Sequence, residues 1–140
     1  MLTFMSTPPH DCPTLLIVDD NLMARAVMSW YFEDQGFCVL QASDGAEAID
    51  IATGGTLTAV LMDIRMPMMD GITATRHLRA LFDKARLPIL AFTGVPTDVD
   101  GDRELFNAIL AKPMTPRDVH EVLKSSIRTK NAPALDSSKR

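Results

Sequence analysis

Five short runs of consecutive apolar residues mark strand-sized segments of the chain. The runs do not alternate with polar residues, which is typical of parallel strands covered on both faces. Longer segments with helical spacing separate them. The apolar runs occupy residues 15–18, 37–40, 59–62, 88–92 and 109–111. This pattern predicts a strand–helix unit repeated five times, and therefore an α/β fold with a doubly wound, five-stranded parallel sheet.

Residues that commonly begin and end helices lie between these runs. The first helix is expected to stop near Gly36, and Asp44 with Glu47 forms a capping pair for the second. Asp70 can cap the third helix, and Thr115, followed by proline, can cap the last. The fourth helical segment, residues 98–106, is short and contains a glycine, so we expect it to be short or mobile.

Length and charge restrict the classes of function. With 140 residues the chain fits one domain, and we expect an N-terminal arm (1–13), a folded domain (14–128) and a polar C-terminal tail (129–140). No apolar run approaches the roughly 20 residues that span a bilayer, and the first basic residue is Arg25, so no secretion signal is expected. We therefore expect a cytoplasmic protein that does not bind membranes. The net charge of −4 favours protein partners over nucleic acid.

The two cysteines, Cys12 and Cys38, could in principle pair. Disulfides are rare in proteins that are not exported. We therefore expect two free thiols and assign them no role.

Four polar signals each follow an apolar run: Asp19-Asp20, Asp63, Thr93 and Lys112. The carboxyl ends of parallel strands face one crevice, which is where open α/β sheets bind ligands. Carboxylates about 5 Å apart repel by about 3 kcal/mol per pair at an effective dielectric near 20, so a cation must join them. A site with few ligands, all of them oxygens, suits Mg²⁺, and Mn²⁺ would be tolerated.

A carboxylate next to such an ion can accept a phosphoryl group. Lys112 could then neutralise one phosphoryl oxygen, and the Thr93 hydroxyl could donate to another. This set of groups is suited to phosphoryl transfer onto aspartate.

Together these residues make the chain similar to the receiver domains of two-component response regulators, over residues 15–128. The resemblance implies a flavodoxin-like strand order of 2-1-3-4-5 and a phosphoacceptor role for Asp63. It also implies Mg²⁺ binding by Asp19, Asp20, Asp63 and the backbone carbonyl of Arg65. Arg65 further occupies a position at which receivers tune the lifetime of the phosphoryl group.

The same resemblance assigns Thr93 and Lys112 to the phosphoryl site and implies a cis peptide bond before Pro113. One departure concerns output. Receivers commonly carry a rotating aromatic residue where this chain has Ile109. The Thr93-Gly94 pair resembles a receiver subclass without that aromatic, so we expect signalling to rearrange residues 94–108.

The first helix has more apolar residues than one buried face needs. Ala24, Val27, Met28 and Tyr31 suit the core, whereas Leu22, Met23, Ala26 and Trp30 are additional apolar residues. Excess apolar surface indicates a protein contact, and receivers dock sensor histidine kinases and histidine phosphotransfer proteins on this helix. The alternative is a helix that is simply buried more deeply.

We therefore expect a stand-alone phospho-accepting receiver that takes its phosphoryl group from phosphohistidine and signals to an unknown downstream protein. Self-catalysed transfer and slow hydrolysis are expected, but no conventional enzyme turnover. One alternative is a phosphatase similar to haloacid dehalogenases, which would need an acid where this chain has Arg65. Another is a receiver-like module that is never phosphorylated. His10, His77 and His120 are expected to have no phosphodonor role.

Overall fold

The computed structural model describes residues 12–131, with side chains as far as residue 127. Most of the expected arm and tail therefore lies outside the described residues, as does His10. Five parallel strands form one sheet in the order β2-β1-β3-β4-β5, which confirms the doubly wound, flavodoxin-like prediction. The strands are β1 (Thr14–Val18), β2 (Cys38–Ala42), β3 (Ala59–Asp63), β4 (Ile89–Thr93) and β5 (Ala108–Ala111). Every predicted strand is present, and no boundary differs by more than two residues.

Within the described part of the chain, four α-helices and one 3-10 segment connect and flank the strands. The helices are α1 (Leu22–Asp34), α2 (Gly45–Gly54), α3 (Gly71–Arg79) and α4 (Pro116–Asn131). The expected fourth helix is instead a 3-10 segment, Pro96–Leu105, that is kinked at Asp102. A short or mobile helix was predicted here; the segment has ten residues and no regular α-helix forms, while its mobility stays a prediction. The last helix continues to Asn131, three residues past the predicted domain end at 128.

The helix caps follow the sequence prediction closely. Asp44 accepts from the Glu47 backbone amide at 2.8 Å, and Asp70 caps α3 by accepting from Thr73 at 2.8 Å. The Glu47 carboxylate reaches back to Ser43 rather than to Asp44, accepting from the Ser43 backbone amide at 2.8 Å. These bonds satisfy amides that a helix start leaves without partners, and so fix where α2 and α3 begin.

Two apolar layers cover the two faces of the sheet. On one face Met28 and Phe32 of α1, with Val119 and Leu123 of α4, pack against alternate strand residues such as Leu61. On the other face α2, α3 and the 3-10 segment pack against the intervening residues. The edge strand β2 is less covered than its apolar sequence predicted, since the Leu40 side chain is 44% exposed.

Two predictions about side chains were wrong. Val27 was expected in the core, but it is 46% exposed on the outer side of α1. Cys12 and Cys38 were expected to be free thiols, but they form a disulfide, with 6.0 Å between their Cα atoms. The Cys38 amide donates to Pro13 O at 2.8 Å, which extends the β1–β2 pairing toward the N-terminus and brings the cysteines together. Reasoning from the cellular compartment could not detect this pairing.

Within residues 12–131, no helix combines the length and the apolar character needed to cross a bilayer.

Candidate functional site

The ends of three central strands bring the predicted site residues together. Asp63 is the last residue of β3 and is paired in register with Phe92 of β4. Thr93 follows Phe92 at the end of β4, and Asp19 directly follows β1, whose last residue pairs with Met62. Parallel pairing therefore places all three polar side chains at one edge of the sheet, as the sequence predicted.

Three carboxylates form a compact cluster at this edge. Asp19, Asp20 and Asp63 each offer one oxygen, and the three oxygens lie within 4.8 Å of one another. Asp19 and Asp63 are buried, with 6% and 7% of their surface exposed, whereas Asp20 is exposed to solvent. One side of the cluster is therefore held by the protein and the other is open to an incoming group.

Lys112 brings a positive charge to the cluster from the end of β5. Its Nζ lies 2.8 Å from Asp19 Oδ2 and 3.5 Å from Asp63 Oδ1, and 5.3 Å from the centre of the Phe92 ring. The Lys112 backbone amide donates to Thr93 O at 2.8 Å, which holds the ends of β4 and β5 together. The Lys112–Pro113 peptide bond is cis, as the resemblance implied.

The charges around Asp63 are not fully compensated. Burial, followed by the negative charge of Asp19, raises the pKa of Asp63 from 3.8 to about 6, although Lys112 opposes this shift. Burial acts to lower the pKa of Lys112, but the hydrogen bond to Asp19 and the charge of Asp63 outweigh it, so the pKa is raised. The surroundings therefore favour the charged form of Lys112 and disfavour the charged form of Asp63.

The donor set fits a hard divalent cation. Mg²⁺ is bound in proteins through one or two carboxylates, keeps several waters and completes its shell with phosphate oxygens. Asp19, Asp20 and Asp63 offer more carboxylate oxygens than this minimum, and the exposed side of the cluster leaves space for waters and phosphate oxygens. Burial is the main cause of the raised pKa of Asp63 and the negative charge of Asp19 is the second; a bound divalent cation would offset the second. The part assigned to the Arg65 carbonyl stays a prediction.

Thr93 is buried, and its Oγ1 accepts a hydrogen bond from the Val95 backbone amide at 3.1 Å. Because the amide donates, the hydroxyl hydrogen is left available for another acceptor. Thr93 thus keeps the donor that was predicted for it, and it also shapes the turn that leads into the 3-10 segment.

The loop that follows Asp63 is tightly constrained. The Gly71 amide donates to Ile64 O at 2.8 Å, and a Cβ at Gly71 would collide with the Asp63 carbonyl oxygen. Met68, at the tip of this loop, has a φ of 71° and is 98% exposed. Positive φ is uncommon for a residue other than glycine, and such strain is concentrated at functional sites.

Arg25 supports the acidic pair, a role that no sequence pattern indicated. Its Nη1 donates to Asp19 O at 2.7 Å, and its Nε donates to Gln41 Oε1 at 3.1 Å. The Asp19 side chain in turn accepts from the Asn21 amide at 2.9 Å. The turn between β1 and α1 is therefore fixed from both its backbone and its side chains.

Three arginines join the other half of the site to the 3-10 segment, and their role was also missed. Arg65 pairs with Asp98, and Arg76 pairs with Asp102, each at 2.5 Å. Arg79 is half-buried and donates to backbone oxygens, including Leu105 O at 2.7 Å. Burial lowers the pKa of Arg79 to about 10, with Asp83 opposing the shift. The 3-10 segment is thus attached along its length to the β3–α3 region.

Ile109 is half-buried on β5. It packs against the core layer that contains Val99 of the 3-10 segment. The position that often carries a rotating aromatic residue therefore holds an aliphatic side chain that contributes to the core.

The sheet order, the acidic cluster and the lysine at the neighbouring strand end together define a receiver domain. The profile of the response regulator receiver domain matches residues 15–124. The chain therefore belongs to the response regulator receiver domain family, as its motifs predicted.

Individual relatives agree with this assignment. The chain is 32% identical over 116 residues to the autoinducer 1 sensor kinase/phosphatase LuxN of Vibrio campbellii, covering 81% of this chain and 13% of LuxN. It is 31% identical over 127 residues to the transcriptional regulatory protein SrrA of Staphylococcus aureus, covering 89% of this chain and 52% of SrrA. The chain thus spans about half or less of these relatives.

Solved structures show the same fold. The receiver domain of a sensor histidine kinase from Pseudomonas aeruginosa, with magnesium coordinated in its active site cleft, is 32% identical with a TM-score of 0.74. That match covers 83% of this chain and 98% of the other. The chemotaxis response regulator CheY4 of Vibrio cholerae is 27% identical with a TM-score of 0.73, covering 82% and 98% of the two chains.

Proposed function

We propose that the protein is a phospho-accepting response regulator in which Asp63 receives a phosphoryl group from phosphohistidine in the presence of Mg²⁺. The observation that carries the proposal is the convergence of Asp19, Asp20, Asp63 and Lys112 at one edge of the sheet. Membership of the receiver family and the magnesium named for the Pseudomonas relative support it.

The transfer step follows from the chemistry of the groups present. An oxygen of the Asp63 carboxylate forms a bond to phosphorus while the phosphorus–nitrogen bond of the donor breaks. The donor imidazole leaves with the electron pair of that bond and is protonated. Lys112 offers its ammonium to a phosphoryl oxygen, and Thr93 offers its hydroxyl hydrogen to another. A bound Mg²⁺ supplies charge neutralisation for the acidic cluster and for the incoming phosphoryl group.

The surroundings of Asp63 control both its ionisation and the access of water to the acceptor. Burial and, after it, the negative charge of Asp19 raise the pKa of Asp63 to about 6. Because this value is still below 7, most of the carboxylate is ionised at neutral pH and can attack phosphorus. Its buried position restricts the access of water on the protein side, while exposed Asp20 marks the open side. We infer slow self-catalysed hydrolysis and no turnover of an external substrate, so the protein is a signalling component rather than a conventional enzyme.

The donor is proposed to dock on α1, where four apolar side chains face solvent. Their exposed fractions are 65% for Leu22, 66% for Met23, 46% for Val27 and 67% for Trp30. Met23, Val27 and Trp30 are four and three residues apart, which places them on one face of α1, and Leu22 lies in the first turn, where the helix begins beside Asp19 and Asp20. A sensor histidine kinase or a histidine phosphotransfer protein on this face would hold its phosphohistidine close to Asp63. A cytoplasmic location and a downstream protein target belong to the same proposal.

The decisive experiment is to label the protein with a radioactive phosphoryl donor. Acetyl phosphate and a phosphorylated histidine kinase should each label the wild type when Mg²⁺ is present. Mn²⁺ should substitute, and chelation of divalent ions should abolish labelling. Asp63→Asn should remain unlabelled, whereas the control Asp102→Asn, at the kink of the 3-10 segment, should be labelled. Equal labelling after chelation, or of Asp63→Asn, would refute the proposal.

A further inference from the structure

Two arginine–carboxylate pairs attach the 3-10 segment to the β3–α3 region. Arg65 forms a bidentate ion pair with Asp98, in which Nε donates to Oδ2 at 2.5 Å and Nη2 donates to Oδ1 at 3.1 Å. Arg76 Nη2 contacts Asp102 Oδ1 at 2.5 Å. The arginine side chains are 69% and 57% exposed, and the aspartates 24% and 22%, so the two pairs lie in similar surroundings.

The two pairs differ in their relation to the acceptor. Arg65 lies two residues after Asp63, in the loop that leaves the end of β3, whereas Arg76 lies within α3. Asp98 lies five residues after Thr93, at the start of the 3-10 segment. The Arg65–Asp98 pair therefore connects the chain segments that leave the two site strands, β3 and β4. Both residues also line a surface cavity of about 500 Å³, together with Ile64 and Asp70.

A phosphoryl group on Asp63 would offer Arg65 a second partner. It carries about −1.5 to −2 charges and three acceptor oxygens, compared with one charge and two oxygens for Asp98. The planar fork of a guanidinium binds carboxylates and phosphoryl groups through the same N–H donors. Asp98 occupies the edge of the guanidinium formed by Nε and Nη2, so a phosphoryl group that binds Arg65 through this edge has to displace Asp98 from it.

We propose that Arg65 exchanges Asp98 for the phosphoryl group on Asp63, and that Asp98 is a positioning residue which withholds the guanidinium until phosphorylation. This inference rests on the proposed function. This exchange breaks the Arg65–Asp98 contact, which holds the start of the 3-10 segment, and leaves the contacts of Arg76 and Arg79 with the segment in place. The signal thus passes from the acceptor to the segment after β4 without an aromatic residue at position 109.

Thermodynamic linkage predicts how removing the Asp98 charge affects the binding of a phosphoryl group. If the phosphoryl group competes with Asp98, removal of the Asp98 charge must strengthen phosphoryl binding by the same factor by which phosphorylation weakens the Arg65–Asp98 pair. Solvent-exposed ion pairs typically change an equilibrium by a factor between about 1.4 and 5. We therefore expect Asp98→Asn to strengthen the binding of a phosphoryl mimic by about threefold.

The test uses beryllofluoride, which mimics a phosphoryl group on a carboxylate, and calorimetric titration of the full chain with Mg²⁺ present. Asp98→Asn should bind it about threefold more tightly than wild type. Arg65→Gln should bind it more weakly, and Arg65→Gln with Asp98→Asn should match Arg65→Gln alone. Asp102→Asn is the matched control, because it frees the same segment from Arg76 without freeing Arg65, and its affinity should be unchanged.

Amide exchange supplies a second readout. In wild type, beryllofluoride should accelerate exchange in residues 96–105, and Asp98→Asn should show this acceleration before the mimic is added. Asp102→Asn should also accelerate exchange there, which shows that the control does loosen the segment. Thermal unfolding of each variant verifies that it is folded.

The possible failures can be told apart. If wild type does not bind beryllofluoride, the proposed function fails and the exchange fails with it. If wild type binds but Asp98→Asn has no tighter affinity, only the exchange is refuted. Equal tightening by Asp98→Asn and Asp102→Asn also refutes it, because general loosening of the segment would then explain the effect. An Asp98→Asn effect that persists without Arg65 is a third refutation.

Discussion

Lys112 and Asp19 form a hydrogen-bonded ion pair at the edge of the sheet, with 2.8 Å between Nζ and Oδ2. The same ammonium is 3.5 Å from Asp63 Oδ1, so its shorter contact is with the carboxylate that is not the proposed acceptor. Asp63 is therefore buried beside a negative charge with only partial compensation, which raises its pKa to about 6. Because its charge is only partly compensated, the Asp63 carboxylate should favour binding of a cation or modification by a phosphoryl group.

Because its negative charge is only partly compensated, ionised Asp63 should lower the free energy of unfolding at neutral pH. The folded protein holds a proton on Asp63 between pH 3.8 and about 6 that the unfolded chain has lost. Its contribution to stability is therefore fully present at low pH and is lost as the pH rises through about 6. Without divalent ions, Asp63→Asn should stabilise the protein at pH 7 by about 1 to 2 kcal/mol, after discounting for solvent screening.

Denaturant unfolding at pH 7 and at pH 3.5 tests this prediction. The stabilisation by Asp63→Asn should be present at pH 7 and largely absent at pH 3.5. Mg²⁺ should stabilise the wild type and have much less effect on the variant. A variant that is less stable than wild type at pH 7 without divalent ions would show that the Lys112 contact outweighs burial and the Asp19 charge.

The sequence was sufficient to predict the fold and the convergence of the acidic residues and Lys112 at one edge of the sheet, for identifiable reasons. Continuous apolar runs indicated parallel strands, and Asp44 and Asp70 indicated where helices begin. Because parallel strands align their carboxyl ends, the positions of Asp63 and Lys112 at strand ends were enough to bring them together. Local signals and topology determine these features, and both can be read along the chain.

The features that sequence reasoning missed depend on contacts between distant residues without a motif. Arg65 and Asp98 are 33 residues apart, and exposed arginines and aspartates have many possible partners. Cys12 and Cys38 pair because β1 and β2 are neighbours in register; the predicted strand order already placed these strands side by side, but the cysteines were assigned from the expected cellular compartment. Val27 was misplaced because apolar residues lie on most sides of α1, so its periodicity could not distinguish the buried face from the exposed one.

The exposed face of α1 predicts a donor-specific defect. Met23→Gln and Trp30→Gln should slow transfer from a phosphorylated histidine kinase by about tenfold, since interface residues of this kind cost more than 1 kcal/mol when removed. Labelling by acetyl phosphate, which needs no docking surface, should be unchanged. Leu81→Gln is the matched control, because Leu81 is 57% exposed but follows α3. Equal slowing with both donors, or loss of folding, would favour a structural role for α1.

The disulfide predicts a stability difference between oxidised and reduced protein. Cys12 and Cys38 are 26 residues apart, and closing a loop of this size restricts the unfolded chain by about 3.5 kcal/mol in the chain-entropy treatment. Dithiothreitol should therefore lower the unfolding midpoint of the wild type, and Cys38→Ser should not respond to it. Thiol titration before reduction should detect no free thiol. Two titratable thiols in protein purified without reductant would contradict the pairing.

The close packing of Gly71 against the Asp63 backbone predicts that a larger residue at the start of α3 will displace the acceptor. An added Cβ would collide with the Asp63 carbonyl oxygen, and relieving the collision must move either α3 or the end of β3. Gly71→Ala should destabilise the protein by about 1 to 3 kcal/mol, as overpacking does. It should also weaken Mg²⁺ binding because the Asp63 carboxylate moves with its backbone. Both effects can be measured by denaturant unfolding and by calorimetric titration with Mg²⁺.

Gly54→Ala provides the comparison for Gly71→Ala. Gly54 is the last residue of α2, and a Cβ there would meet no heavy atom within 4 Å. Alanine is better than glycine in a helix by about 0.5 to 1 kcal/mol, so this variant should be as stable as wild type or slightly more stable. Its Mg²⁺ affinity should be unchanged. If Gly71→Ala behaved like Gly54→Ala in both measurements, the loop after Asp63 would have to be more adaptable than its close packing implies.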